Sequence, residues 1–297
     1  MKDNKLIIGI GECLFDSFAD GTKELGGAPA NFAYHAGQLM GMENALLISA
    51  CGDDTNGTIL EEELDKRGLQ RIMPVIPDHP TGIVDVLPGP SYVINEGVAY
   101  DVIPFTSEME AVARKAAVVC FGSLAQRNEV SRETILRFLD ASPSDCIKVF
   151  DINIRQHYYS REIIERSLQK CNILKLNEDE LPEVCRMFGI ESAIPEERCR
   201  RIMSLWHIDT VIFTCGAIGS YVFTPNETSY MDSPKVQVAN TVGAGDSFTA
   251  TYCCGLLLGK DICEAHRLAA EVSAFVCTKP GAMPTIPEEL RKQFKKF

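Results

Sequence analysis

The sequence predicts an α/β fold in which a central, mostly parallel sheet is flanked by helices. Short apolar runs alternate with amphipathic helical stretches, and most of the runs are followed by Gly, Asp or Asn. This alternation is typical of a parallel sheet that helices cover on both faces. The predicted strands are residues 5–10, 45–49, 117–121, 147–150, 173–175 and 210–214, and the clearest helices are residues 55–67, 132–141, 161–171, 179–188 and 196–206.

The size and hydrophobic content of the chain predict a single domain. The 297 residues, of which 45% are hydrophobic, supply enough core for one α/β domain spanning residues 1–297. Two segments, about 12–24 and 81–100, interrupt the alternation with strand-like runs and turns. We expect them to form a small β-strand lid that leaves the main sheet, with an ordinary surface hairpin as the alternative. Apolar residues 83–87 also offer a surface through which a homodimer could form.

Composition excludes several classes of partner. The net charge is −12, from 29 basic and 41 acidic residues, so nucleic acid and anionic membrane surfaces are poor partners. No run of about 20 apolar residues and no signal-peptide pattern is visible, which predicts a cytoplasmic protein without a membrane span. The twelve cysteines include no C-x-x-C pair, so we expect reduced, mostly buried thiols rather than a zinc site.

The most informative stretch is residues 240–248, Asn-Thr-Val-Gly-Ala-Gly-Asp-Ser-Phe, which leads directly into an apolar segment. This order predicts a loop followed by the N-terminus of a buried helix, where free N–H groups favour an anion. Gly243 and Gly245 would let a phosphate approach the backbone, and Asp246 could take a proton from an attacking hydroxyl. An anion site beside a base indicates phosphoryl transfer, although a simple helix cap would also use an Asp here.

The common nucleotide-binding motifs are absent. The sequence has no G-x-x-x-x-G-K-[ST] and none of the protein-kinase motifs. Gly9-Ile10-Gly11 starts like a dinucleotide fingerprint, but Leu14 occupies the third glycine position. The five histidines form no cluster, which disfavours a metal hydrolase.

Two further groups of residues carry polar side chains that suit a ligand. Gly26 to Asn31 reads as a tight turn whose Asn31 can bind a sugar hydroxyl, and Asp16 adds an acceptor for vicinal hydroxyls. Asn177 and Glu180 lie three residues apart at a helix start, which suits an outer-shell site for hydrated Mg²⁺. A turn residue or a capping box is the structural alternative for each group.

Together these residues closely resemble the ribokinase-like (PfkB) family of sugar kinases, over nearly the whole chain. Residues 240–248 match its most specific motif, and residues 26–31 with Gly52-Asp53-Asp54 match the second. Residues 214–219 and 281–284 also fall where the family has similar residues. The resemblance implies the α/β fold with a β lid, and ATP and Mg²⁺ as the nucleotide and cofactor.

The resemblance also implies residue roles. Asp246 would be the catalytic base, and the N–H groups of Gly243, Ala244 and Gly245 would form the anion hole for the transferred phosphate. Asn177 and Glu180 would organise Mg²⁺ through water. The implied sugar ligands are Asp16, Gly27 and Asn31, and the implied nucleotide contacts are Thr214, Gly216, Gly219 and the loop at Gly281, which would also lie near a monovalent cation.

One residue departs from the family pattern. The family usually has Asp where this chain has Asn240, and that Asp commonly supports the cation region. Asn retains some hydrogen bonding but carries no charge. The sequence therefore predicts kinase activity with weak or no dependence on K⁺.

The sugar is predicted from the turn at residues 26–31, which contains no Lys or Arg to bind a sugar phosphate. Its Gly-Gly-Ala-Pro-Ala-Asn form and the opening of residues 11–16 look like the fructokinase branch, so fructose is the first choice. The alternative is 2-keto-3-deoxygluconate, whose carboxylate Arg155 could bind. A nucleoside is less favoured, as is a catalytically silent, sugar-sensing regulator.

Overall fold

The computed structural model describes residues 6–87, 89 and 91–294. Its strands are β1 (Leu6–Ile10), β2 (Leu14–Phe18), β3 (Lys23–Gly26), β4 (Ala45–Ile48), β5 (Cys51–Gly52), β6 (Gln70–Ile72), β7 (Val75–Ile76), β8 (Gly82–Val86), β9 (Tyr92–Ile94), β10 (Ala116–Phe121), β11 (Ile147–Asp151), β12 (Ile173–Asn177), β13 (Thr210–Cys215), β14 (Gly219–Phe223) and β15 (Thr228–Asp232). Its helices are α1 (Ala28–Met40), α2 (Thr55–Lys66), α3 (Ser107–Ala113), α4 (Glu129–Ala141), α5 (Arg161–Leu168), α6 (Glu180–Phe188), α7 (Pro195–Trp206), α8 (Ala244–Leu257), α9 (Ile262–Cys277) and α10 (Glu288–Arg291).

The central sheet has nine strands in the order β15-β14-β13-β12-β11-β10-β1-β4-β6. Strands β13 to β6 in this order pair in parallel, and β14 and β15 extend the sheet antiparallel. The predicted α/β class with a mostly parallel sheet is therefore confirmed. Each predicted strand is present, and together they form the adjacent strands β13 to β4; residue 5 lies outside the described residues.

Helices cover both faces of the central sheet. Apolar side chains of α1, α8 and α9 pack with one face, and those of α3 to α7 pack with the other. In β1, Ile7 packs with the helices α1, α8 and α9, and Ile8 packs with the helices of the other face, because successive side chains of a strand point to opposite faces. This arrangement leaves the carboxyl ends of the parallel strands as one edge where polar residues can gather.

A separate four-stranded sheet has the order β3-β2-β8-β9. Its strands come from the two segments that interrupt the strand–helix alternation. Strand β2 pairs antiparallel with β3 and parallel with β8, and β9 closes the far edge. Hydrogen bonds attach β9 to the main domain: Gln156 Nε2 donates to Tyr92 O at 2.7 Å, and the Tyr158 hydroxyl donates to Ile94 O at 3.1 Å.

Two other sequence-level expectations bear on the core and the surface. The twelve cysteines are free thiols, most of them buried, and only Cys263 is exposed. Within residues 6–294, apart from the undescribed positions 88 and 90, none of the helices combines the length and apolarity that crossing a membrane requires.

Candidate active site

A cleft of about 1040 Å³ lies between the carboxyl edge of the central sheet and the four-stranded sheet. Its volume suits a nucleotide together with a small second ligand. All predicted site residues except Glu180 and Gly281 line this cleft. The predicted residues brought together here are Asp16, Gly27, Asn31, Arg155, Asn177, Thr214, Gly216, Gly219, Gly243, Ala244, Gly245 and Asp246.

Helix α8 begins at Ala244, earlier than predicted, so Asp246 lies in its first turn. Gly243 precedes the helix with a φ of 77°, and a Cβ there would lie 2.5 Å from Ala282 O. Only glycine therefore fits this close approach. The Ala244 N–H donates to Thr241 O at 3.3 Å, whereas those of Gly245 and Asp246 have no backbone partner among the described residues. The helix start thus offers donors to an anion.

Asp246 is fixed by a residue from the other end of the chain. Asn31 Nδ2 donates to Asp246 Oδ2 at 2.7 Å, and Asn31 itself is buried. The predicted turn at residues 26–31 is shorter than expected, because α1 begins at Ala28 and Asn31 lies in its first turn. The side chains of α1 and α8 therefore meet at the floor of the cleft.

The environment of Asp246 favours its use as a base near neutral pH. Burial, with a further contribution from the Asp151 charge, raises the pKa of Asp246 to about 6. The hydrogen bond from Asn31 and the charges of Lys175 and Arg155 oppose this rise. A carboxylate with this pKa is ionised at neutral pH and remains basic enough to accept a proton.

Lys175 is a site residue that the sequence analysis did not assign. Its ammonium lies 3.0 Å from Asp151 Oδ1, and both side chains are more than 90% buried. A Cβ placed on Gly245 would lie 2.9 Å from Lys175 Nζ, which puts the ammonium against the start of α8. Burial alone favours the neutral amine, but the charges of Asp151, Glu180 and Asp246 outweigh it and raise the pKa of Lys175.

Asn177 and Glu180 adopt the capping arrangement that was the structural alternative to a metal site. Asn177 Oδ1 accepts from the Glu180 N–H at 2.9 Å, and the Asn177 N–H donates to Glu180 Oε2 at 2.8 Å. Glu180 Oε1 accepts from the Ile154 N–H at 3.0 Å. Both oxygens of Glu180 are therefore occupied, while Asn177, Glu178 and Asp179 face the cleft.

The end of the cleft under the four-stranded sheet is rich in carboxyl groups. Glu12, Asp16, Glu24 and Asp246 line it, together with Arg155. Burial raises the pKa of Asp16 to about 6, against the opposing charge of Arg155. The Arg155 guanidinium has no hydrogen-bond or ion-pair partner among the described residues, so it can bind a ligand.

The opposite end is formed by the end of β13, which carries Thr214, by the turn that carries Gly216, and by the start of β14 at Gly219. Gly281 does not line the cleft, but its neighbour Ala282 supports it by packing on Gly243. The Ala282 carbonyl accepts a hydrogen bond from the His35 ring at 2.9 Å. The loop at residue 281 is thus joined to α1.

Known kinases are similar to this chain along most of its length. The chain is 26% identical to an ATP-dependent 6-phosphofructokinase of Thermoanaerobacterium thermosaccharolyticum, covering 90% of this chain and 83% of the relative. It is 25% identical to fructokinase-1 of Oryza sativa subsp. japonica, covering 97% and 96%. It is 29% identical to a 2-dehydro-3-deoxygluconokinase of Thermoproteus tenax, covering 91% and 86%.

Solved structures share the fold over almost the full chain. A fructokinase from Xylella fastidiosa with bound ATP superposes with a TM-score of 0.86 at 19% identity, covering 99% of this chain and 98% of that one. The sugar kinase PH1459 from Pyrococcus horikoshii in complex with ATP gives a TM-score of 0.82 at 25% identity, covering 98% and 100%.

The class of protein follows from the comparison with family models. A family model described as pfkB family carbohydrate kinase matches residues 15–289. The chain belongs to this family and is an ATP-dependent sugar kinase.

Proposed function

We propose that this kinase transfers the γ-phosphate of MgATP to a hydroxyl of a neutral ketohexose, with D-fructose as the substrate and fructose 6-phosphate as the product. The observation that carries the proposal is the pairing of Asp246 with Asn31 beside the open N-terminus of α8. Asp246 accepts the hydroxyl proton as the hydroxyl oxygen bonds to the γ-phosphorus, and the bond between that phosphorus and the bridging oxygen breaks to release ADP. The N–H groups at the helix start stabilise the charge on the transferred group.

The nucleotide is proposed to lie along Thr214, Gly216 and Gly219, with its phosphates directed toward Gly243 and Gly245. Mg²⁺ supplies charge neutralisation of the phosphates when it is bound. The residues present fit an outer-shell role for the ion: both Glu180 oxygens accept backbone N–H groups, so water would separate Asn177 and Glu180 from it. Lys175 adds a fixed positive charge beside the same helix start.

The four-stranded sheet is proposed to act as the lid over the sugar. Asp16 on β2 and Gly27 beside β3 would hold hydroxyl groups together with Asn31. Closing this sheet over the cleft would exclude water and so limit hydrolysis of ATP.

The charges at the lid end favour a neutral sugar over a sugar phosphate. Four carboxyl groups face one guanidinium there, and residues 26–31 contain no Lys or Arg. A phosphate on the substrate would meet net repulsion, which argues against a sugar phosphate as the substrate of this chain. The resemblance to plant fructokinase supports fructose.

A second candidate substrate is 2-keto-3-deoxygluconate. The unpartnered Arg155 could bind its carboxylate bidentately, and a 2-dehydro-3-deoxygluconokinase is among the relatives.

The test is ADP release from MgATP with fructose, 2-keto-3-deoxygluconate, ribose, adenosine, fructose 6-phosphate and no sugar. Activity with fructose above the other compounds supports the proposal. Preference for 2-keto-3-deoxygluconate, reduced by Arg155→Gln, would transfer the assignment to the acid. Binding of a sugar without turnover of any compound would instead favour a sensor.

Activity should fall as the solution is acidified through about pH 6. The base must be ionised, and burial raises the pKa of Asp246 to about 6 in the free protein. Below this pH the carboxyl is protonated and cannot accept the hydroxyl proton. The measurement is kcat/KM for the sugar between pH 5 and pH 8, at saturating ATP. A flat profile across this range would contradict the role of Asp246 as base.

Potassium should activate the enzyme weakly or not at all. Asn240 carries no charge, and its Oδ1 accepts the Val242 N–H at 3.2 Å. Asn240→Asp is expected to increase the activation by K⁺, because a carboxylate attracts the cation where an amide does not. The measurement compares kcat in K⁺ and in tetramethylammonium for both proteins. Strong activation of the unmodified chain by K⁺ would refute the prediction.

A further inference from the structure

Glu12 is a buried carboxyl group in the cleft that the proposed mechanism does not use. It follows β1 and has only 2% of its surface exposed, yet it lines the cleft. Its Oε2 has no hydrogen-bond partner among the described residues. The turn before α1 holds the backbone of Glu12 in place, because Gly27, at a φ of 106°, packs on Glu12 O.

An unpartnered buried oxygen indicates that a ligand completes the site. Buried polar atoms in folded proteins nearly always have partners, and leaving one without a partner destabilises the protein. Asn31 Oδ1 is also buried without a partner among the described residues, while its Nδ2 donates to Asp246. Two acceptors without partners among the described residues therefore belong to side chains that line the cleft together with the base. Hydroxyl groups of a sugar are donors of the kind that both acceptors lack.

We propose that Glu12 binds the substrate directly, accepting a hydrogen bond from a sugar hydroxyl that is not the one phosphorylated. This proposal rests on the proposed function and specifies which chemistry the site recognises: a ligand with several hydroxyl groups and no negative charge near Glu12. The negative charges of Glu12 and Asp246 repel an anionic group, and Arg155 is the cation that offsets them.

The electrostatics of the site agree with this role. Burial raises the pKa of Glu12 to about 7, and the charge of Asp246 adds to this rise. The backbone N–H groups of Glu12 and Ala28 and the charge of Arg155 oppose it. Tyr100 and Cys13 are its other titratable neighbours. A hydroxyl donated to the carboxylate would stabilise its ionised form, so the test is made at pH 8.

The first test compares Glu12→Ala with Glu12→Gln in the full-length protein. Glu12→Ala should raise the KM for the sugar by about 10- to 100-fold, the usual effect of losing a hydrogen bond to a charged group, and leave the KM for ATP within about twofold. Glu12→Gln, which keeps one acceptor, should recover part of the loss.

Tyr100→Phe is the matched control. The Tyr100 hydroxyl is also buried without a partner among the described residues, but it does not line the cleft. Its removal should leave the KM for the sugar unchanged. If Glu12 only supports the fold, Glu12→Ala and Glu12→Gln should alter thermal stability, and neither should change the affinity for the sugar selectively.

The second test is a cycle that combines Glu12→Ala with deoxy analogues of the sugar substrate. The reference is kcat/KM of the unmodified enzyme with the natural sugar. Removing the contacted hydroxyl from the sugar should lower kcat/KM by the same factor as replacing Glu12 by Ala. With Glu12→Ala that analogue should lose little more, because the interaction has already been removed.

The outcomes separate the two proposals. Selective loss of sugar affinity and a non-additive cycle support the role of Glu12. The role of Glu12 alone is overturned if the unmodified enzyme phosphorylates a neutral sugar and Glu12→Ala has the same KM for that sugar. It is also overturned if the losses caused by Glu12→Ala and by each deoxy analogue are additive. An unmodified enzyme that neither binds nor phosphorylates a neutral sugar overturns the proposed function and the Glu12 proposal together.

Discussion

Asp246→Asn is expected to lower kcat by about 10²- to 10⁴-fold, the usual contribution of a general base. The amide cannot accept a proton from the sugar hydroxyl, although it has nearly the same shape as the carboxylate. Asn31 and the amide can still form a hydrogen bond, so the floor of the cleft should remain intact. The measurement is kcat and both KM values at pH 8, and the KM values should change much less than kcat.

Thermal unfolding of Asp246→Asn provides the control. Because burial raises the pKa of Asp246 above the ordinary value for Asp, the folded state holds a proton more tightly than the unfolded state. Stability from this group is therefore present at low pH and is lost as pH rises toward about 6. The Asn variant, which lacks the ionised group, should unfold at a temperature no lower than that of the unmodified protein at pH 8. Near-full turnover by a stably folded variant would refute the assignment of Asp246 as base.

The centre of the fold could be predicted from the sequence because its strands are apolar along their length. Strands β1 and β10 are buried on both faces, and such runs differ clearly from amphipathic helices. Strand β6 at one end of the sheet and strands β14 and β15 at the other were not predicted. In β15, exposed and buried residues are mixed, because an edge strand of this sheet has fewer neighbours to bury it.

The site was predictable where its chemistry is continuous in sequence. Residues 243–246 contain the turn, the N–H groups that can bind an anion and the proposed base in four consecutive positions. A local sequence pattern could therefore indicate them. The role of Lys175 depends on Asp151, which lies on the neighbouring strand β11. A lysine near the end of an apolar run is typical of the exposed end of a strand. Only the pairing of β11 with β12 shows that the charge of Lys175 is buried beside Asp151.

Glu180 illustrates the opposite case, in which one local pattern permits two structures. Asn177 and Glu180 share a helix start, and that spacing suits both an outer-shell metal site and a capping box. Whether Glu180 has an oxygen free for direct contact with a metal ion depends on Ile154, whose N–H donates to the same carboxylate from another loop. Long-range contacts of this kind cannot be read from helical spacing.

Lys175→Met is expected to impair both catalysis and stability. Its ammonium is a fixed positive charge beside the Gly245 end of the anion site, so its loss should lower kcat by about 10²- to 10³-fold. Removing one member of the buried pair leaves Asp151 without its partner, which should lower the free energy of unfolding by about 3–5 kcal/mol. The measurements are kcat at saturating substrates and urea unfolding at pH 8.

The double variant Lys175→Met with Asp151→Asn distinguishes these two effects. Asn removes the uncompensated charge and can still accept the hydrogen bond that Thr249 donates to Asp151 Oδ2 at 3.3 Å. Stability should therefore recover in large part. Turnover should not, because the positive charge beside the transferred phosphate is still missing. If the double variant regained turnover along with stability, Lys175 would serve only to neutralise Asp151. Persistent loss of turnover in a stable protein would instead show that the Lys175 ammonium stabilises the transition state.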